Sequence, residues 1–267
     1  MKIDYFTMLS PEPISLSIGT IRHPTLRSIS KLTFNKFTKY QLYLKMTAKD
    51  FCKYYSEQDD KSLLSGLADD EIDKISLYDI LLLKDDVRQM YLEIFNYFFI
   101  ERVIFVEGIF LILNKDKYSE IVLDELEKKD LHGIINADTF LDVIDLLQQV
   151  CCIKSKDPLE EVKPVFKNKK AERLYEKMLK ANQEKQKKKN IDDLKSFSLP
   201  NIISSVASKS FGLNIINIWD ATLFQIYDQF DRLRQDDAHY INSVRISVWG
   251  DEKNQFDESL WYKNNYD

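Results

Sequence analysis

Apolar side chains recur every three to five positions through "LRSISKLTFNKFTKYQLYLKM", so that Leu26, Ile29, Leu32, Phe37, Tyr40 and Leu44 share one helical face, with a break expected near Asn35. Pro24 and Thr25 form the entrance to this helix. The preceding "PEPISLSIGTIRHPTL" alternates apolar and polar residues between prolines, which predicts a short extended arm or edge strand. "TAKDFCKYYSEQ" reads as a further helix capped by Thr47. "ISLYDILLLKDDVRQMYLEIFNYFFIE" reads as two more, the second from Asp85 to about Phe99, with Asp85 and Asp86 at the positive end of its dipole.

The pattern changes at "RVIFVEGIFLIL". Two short runs of β-branched and aromatic residues flank Gly108, which predicts a tight β-hairpin. "HGIINADTFLDVIDLLQQVCCI" adds a short strand over Gly133–Ile135 and a cap at Asn136 or Asp138. An amphipathic helix follows through Phe140, Val143, Ile144, Leu147 and Val150. These pieces make a small antiparallel sheet packed by helices. With six glycines in 267 residues and no regular strand–helix alternation, a doubly wound parallel sheet is excluded in favour of a mostly helical α+β fold.

Beyond Ile153 the composition shifts. Residues 154–195 carry fourteen Lys or Arg against eight Asp or Glu, a local charge of +6 in a chain whose total is −5. Pro158 and Pro164 mark a connector, and Asn168 to about Lys189 reads as an exposed helix anchored only by Ala171, Leu174 and Met178. The chain thus divides into an α+β domain over 1–153, a charged connector over 154–196 and a helical module over 197–267. That module opens with a helix carrying Pro200 in its first turn and ending near Phe211 and Gly212. Next, "NIINIWDATLFQIYDQFDRLR" runs from an apolar, strand-like piece into a helix capped by Asp220. Leu223, Phe224, Ile226, Tyr227, Phe230 and Leu233 line this helix, which continues to about Trp249 and stops at Gly250 and Asp251.

Candidate chemistry is sparse. Cys52, Cys151 and Cys152 are too few and too badly spaced for a disulfide framework and read as buried thiols. His23, His132 and His239 lie far from them and from one another, which argues against a metal site. The acidic doublets, such as Asp236 and Asp237, point about 100° apart on a helix and do not converge on one substrate. There is no nucleophile elbow, phosphate loop or dinucleotide fingerprint, so neither an enzyme nor a cofactor is expected. The apolar run around residue 105 is interrupted by Glu101, Arg102 and Glu107, so no membrane span is expected, and the N-terminus lacks a signal-peptide pattern. The Lys-rich stretch around Lys185–Lys189 could contact phosphates, but it lacks interleaved aromatics and Arg forks, and a solvated face explains it more simply.

Aromatic residues remain. Stripes at helical spacing usually face an interior, whereas a tail holding Phe256, Trp261 and Tyr262 orders only by docking on its own domain or on a partner. Candidate partner contacts are Trp219, Phe224, Tyr227, Phe230, Trp249 and Trp261. The stretches "LPNIISSVASKSFGLNIINIWDATLFQIYDQFDRLRQDDAHYINSVRISVWGDEKNQFDESLWYKN", "VFKNKKAERLYEKM" and "IRHPTLRSISKLTF" resemble tailed-bacteriophage proteins of Gram-positive hosts that are placed among tail-morphogenesis proteins. The arrangement of Trp219, Tyr227 and Phe230 is similar to the C-terminal helix of tail assembly chaperones. That resemblance implies a non-enzymatic protein of the host cytoplasm during phage assembly, holding the tape measure or tail tube protein. A permanent virion subunit, with homo-oligomeric contacts through the arm and tail, and a nucleic-acid-binding regulator are the alternatives it leaves open.

Overall fold

A computed structural model describes residues 2–57, 74–114, 131–153, 198–251, 256–259, 261–262 and 266. The expected connector helix over 168–189 lies outside the described residues, as does the Lys-rich run within it. The chain forms two compact units. The first comprises Met1–Lys154, Asp220–Gln225 and Tyr266–Asp267, and the second Ser155–Trp219 and Ile226–Asn265. Among the described residues helices dominate, with two small antiparallel sheets, as expected for a mostly helical α+β fold.

The first unit opens with a short helix, α1 (Tyr5–Leu9), capped by Asp4, whose carboxylate accepts the Thr7 amide at 2.9 Å. The expected arm is a complete hairpin. Strands β1 (Ile14–Leu16) and β2 (Gly19–Ile21) pair antiparallel, with Ile14 opposite Ile21 and Leu16 opposite Gly19. Thr25 caps α2 (Leu26–Leu32) by accepting the Ser28 amide at 3.1 Å. The expected break falls at Thr33 rather than near Asn35. Thr33 adopts φ +83°, ends α2 and caps α3 (Phe34–Lys45) through its own hydroxyl, so one residue both reverses the chain and restarts the helix.

Thr47 and Asp50 form a capping box on α4 (Ala48–Glu57), and Ser76 and Asp79 form another on α5 (Leu77–Leu83). Helix α6 (Asp85–Phe98) carries Asp85 and Asp86 in its first turn and buries Val87, Tyr91, Ile94, Phe95 and Phe98. The predicted hairpin follows as β3 (Val103–Val106) and β4 (Ile109–Leu113), with Val106 opposite Ile109. Its two-residue turn places Glu107 at φ +48° and Gly108 at φ +87°, the left-handed pair that matches strand twist. Strand β5 (Leu131–Ile135) pairs antiparallel with β4, giving the order β3-β4-β5.

Asn136 organises the entrance to α7 (Phe140–Val150), its side-chain oxygen accepting the Asp138 and Thr139 amides at 3.1 Å. The far end is a Schellman turn. The Ile153 amide donates to the Gln148 carbonyl and the Cys152 amide to the Gln149 carbonyl, leaving Cys152 at φ +56°. The reading of all three cysteines as buried therefore needs one correction. Cys52 and Cys151 are buried, but Cys152 occupies the left-handed position that ends the helix and is half-exposed.

The first unit's core is an aromatic cluster. Phe95 stands 4.9 Å from Phe110, 6.1 Å from Tyr91 and 6.1 Å from Phe140, while Phe140 lies 5.2 Å from both Tyr78 and Tyr91. These are mostly edge-to-face contacts, the geometry that ring quadrupoles prefer. The tyrosine hydroxyls do not go unpaired: Tyr91 donates to the Tyr43 carbonyl at 2.9 Å and Tyr78 to the Gly108 carbonyl at 2.6 Å. The second cluster of this unit joins its most distant pieces. Leu223 N–H donates to the Pro24 carbonyl and Leu26 N–H to the Ala221 carbonyl, and Arg27 makes a two-pronged ion pair with Asp220 at 2.6 and 3.0 Å.

The second unit contains α8 (Leu199–Lys209), with Pro200 in its first turn as expected, the first two residues of a 3-10 turn over Ile218–Asp220, and most of α9 (Leu223–Trp249). The strand-like piece predicted before α9 is not a strand. Asn214 and Asn217 fold it into a turn: the Asn214 side chain accepts the Ile216 and Asn217 amides, and Asn217 accepts the Asn214 amide. Nor is Asp220 the cap of α9. Asp220 is held by Arg27, and Thr222 takes the capping role, exchanging bonds with Gln225 at 3.2 and 2.9 Å.

Candidate partner-binding surface

The six aromatic residues expected to contact a partner are divided by the fold. Phe224 belongs to the first unit and is 7% exposed, its ring 6.0 Å from Tyr5 and 5.2 Å from Tyr266. It is committed to that unit's interior. Trp219, Tyr227 and Phe230 are half-buried in the second unit. The Trp219 indole N–H donates to the Ile215 carbonyl at 2.8 Å, and the Arg234 guanidinium lies 5.8 Å from the Phe230 ring centre. Trp249 and Trp261 stand in solvent, at 76% and 52% exposure, with Trp261 stacked edge-on against Tyr262 at 5.2 Å.

The second unit also exposes residues that sequence reading missed. Phe211 is fully exposed and Ile216 is 82% exposed in the segment between α8 and the 3-10 turn. Along the second half of α9, Tyr240, Ile241, Val244 and Val248 are exposed as well. The spacing of residues 241, 244 and 248 was legible, since three- and four-residue steps place side chains on one helical face. What periodicity does not say is which face is covered. Phe256 sits 5.3 Å from His239, on the opposite side of the helix from Ile241, and its amide donates to Asp251 at 2.9 Å.

Titratable groups in the first unit are structural. Glu101, the charge interrupting the apolar run, has its side chain 1% exposed. One oxygen accepts the Thr20 amide at 2.9 Å and the other lies 3.5 Å from His132 Nδ1. Burial by itself would raise its pKa, but the hydrogen bonds from Thr20 and from its own amide, with the charge of His132, hold it below the ordinary carboxylate value. Glu101 thus ties the β1–β2 hairpin to β5. Burial and the neighbouring Cys152 push the Cys151 thiol well up, which keeps it protonated and unreactive. Among the described residues, no group of three or more His, Cys, Asp or Glu side chains converges to hold a metal ion, and no helix is long and apolar enough to cross a membrane.

His23 is the least satisfied of these groups. It is 5% exposed, neither ring nitrogen has a hydrogen-bond partner, and burial pushes its pKa below 6.5. A buried imidazole that stays neutral binds fewer protons than the unfolded chain does, so stability is complete above the unfolded value and declines as pH falls through it. We expect the first unit to lose up to about 1.4 kcal/mol per pH unit below roughly pH 6.5. Glu101, with its pKa depressed, adds to the same acid loss only below its ordinary value of 4.5. Urea titrations at pH 7.5 and pH 5.5 check this. His23→Leu should flatten the difference, and an unchanged slope in that variant would refute the assignment.

A family model described as the YomV second domain matches residues 184–266. The matched stretch takes in α8, the 3-10 turn, α9 and the aromatic tail, and agrees with a phage-type origin for the chain. No curated protein and no solved structure matches the chain.

Proposed function

We propose that this chain is a phage-encoded, non-enzymatic binding protein of tail morphogenesis, acting in the host cell as an assembly chaperone for the tape measure or tail tube protein. The observation that carries the reading is the exposure of Phe211, Ile216, Trp249 and Trp261 within the stretch similar to the YomV second domain. Large apolar side chains standing in water cost free energy unless a partner covers them, and aromatic anchors supply much of the energy of protein docking. Holding an aggregation-prone chain requires such surfaces and no chemistry. The resemblance to tail-morphogenesis proteins supplies the class of client, and the family match supports the phage origin.

Two measurements test the proposal. Mass spectrometry of purified virions and infected-cell lysate, quantified against a known tail protein, should find the chain abundant in lysate and absent from virions. Stoichiometric presence in virions would make it a structural subunit instead. Co-expression should also keep the phage's tape measure or tail tube protein soluble. Phe211→Asp combined with Ile216→Asp, both at exposed positions, should abolish that protection while leaving the circular dichroism spectrum unchanged. If both client proteins stay insoluble beside the unaltered chain, the chaperone reading fails.

A further inference from the structure

We propose that the first unit carries a binding site for a tyrosyl side chain, set between α1 and the opening of α9, and that Tyr266 closes this site against tyrosines supplied in trans. The inference rests on the first unit alone and stands apart from the tail-assembly reading. Three rings meet there. Tyr5 and Phe224 stand 6.0 Å apart, and Tyr266 packs on both, 5.8 Å from Tyr5 and 5.2 Å from Phe224, its plane at 90° to the latter. The Tyr266 hydroxyl donates to the Ile3 carbonyl at 3.0 Å, and the Lys2 ammonium lies 5.6 Å from the ring centre. The two rings select an aromatic side chain, and the carbonyl selects one that bears a hydroxyl. Among the described residues beyond Gln225, Tyr266 is the one that belongs to this unit.

The walls of the site are fixed by bonds that do not involve Tyr266. Ile3 is buried and its amide donates to the Gln149 side chain at 2.8 Å, which holds the accepting carbonyl in place. Asp4 caps α1, and the far end of that helix is tied to α9 by the Gln225 side-chain amide, which donates to the Leu9 carbonyl at 2.8 Å. Phe224 is flanked by the Leu223 amide on the Pro24 carbonyl and by the Thr222 cap. Departure of Tyr266 therefore leaves a preformed slot for one ring, and a ligand entering it bears little cost of ordering the protein. A side chain attached in cis competes at an effective concentration in about the millimolar range, so a free tyrosine of the same intrinsic affinity is held off while Tyr266 is seated.

The probe is p-cresol, whose ring and hydroxyl reproduce the tyrosyl side chain. In the full chain carrying Tyr266→Ala it should bind with a Kd of about 1 mM, read by ligand-observed NMR, and should raise the urea midpoint of the first unit. Toluene, which lacks the hydroxyl, should bind about fivefold more weakly. The unaltered chain should bind p-cresol about threefold more weakly or worse, because Tyr266 competes. Adding Tyr5→Ala, at a half-exposed position, to Tyr266→Ala should weaken p-cresol about fivefold. A folded Tyr266→Ala chain that ignores p-cresol at about ten times the expected Kd overturns the proposal. So does equal binding by the unaltered chain, equal affinity for toluene, or binding that Tyr5→Ala leaves intact. If Tyr266→Ala is unfolded alone, recovery of its circular dichroism spectrum by p-cresol supports the site, and failure to recover overturns it.

Discussion

Phe95→Ala should destabilise the first unit by about 4 kcal/mol, the largest loss expected from any single truncation in it. Phe95 is fully buried and touches rings from three separate elements: Tyr91 on its own helix, Phe110 on β4 and Phe140 at the start of α7. It also meets Phe99 at 6.2 Å, where the chain leaves α6 beside the β1–β2 hairpin. Removing the ring forfeits the transfer free energy of its carbons and leaves a cavity whose walls belong to three elements. Those elements are fixed by hydrogen bonds and cannot collapse into it. Urea unfolding followed by near-ultraviolet tyrosine dichroism is the appropriate measurement. A loss below about 2 kcal/mol would mean that the cluster repacks and that Phe95 is not its hub.

Gly133→Ala should cost about 3 kcal/mol or more, although alanine is the smallest change available. A Cβ on residue 133 would stand 2.3 Å from the Ile18 carbonyl oxygen and 2.5 Å from the Ile18 Cα. Both are backbone atoms in the turn of the β1–β2 hairpin, so no rotamer change relieves the clash. The hairpin must move off β5. Displacing it stretches the Thr20 to Glu101 hydrogen bond and exposes a buried carboxylate to an unpaired environment. The neighbouring Ile134→Ala, at a 39% exposed position, serves as the control and should cost less than about 1 kcal/mol. Equal losses for the two variants would show that the hairpin is not seated on Gly133.

The exposed stripe of α9 and the buried position of Phe224 illustrate how far a helical pattern can be read. Leu223, Phe224, Ile226, Tyr227 and Phe230 show the spacing of a covered face, and α9 spans them all. Yet Leu223 and Ile226 are fully buried, Tyr227 and Phe230 only half so, and Val244 and Val248 with the same spacing stand in solvent. Periodicity specifies which side chains share a face and is silent on what lies opposite. Asp220 makes the same point for polar residues. Its place before an apolar run suits a cap, but Arg27, 193 residues away in sequence, claims its carboxylate, and Thr222 caps the helix instead.

Signals carried by neighbouring residues were therefore sufficient on their own. The helix containing Asp85 and Asp86, the Glu107–Gly108 hairpin, the Thr25 and Thr47 caps and the mostly helical α+β class follow from spacing, capping chemistry and turn preference within a few residues. Tertiary structure alone decided the rest: that Gly133 exists to admit the Ile18 backbone, that Glu101 is a buried tie rather than a surface charge, that residues 220–225 belong with the N-terminal unit, and which apolar face of α9 stays open. Each of these depends on which atoms arrive from distant parts of the chain, and short-range side-chain spacing carries no record of that encounter.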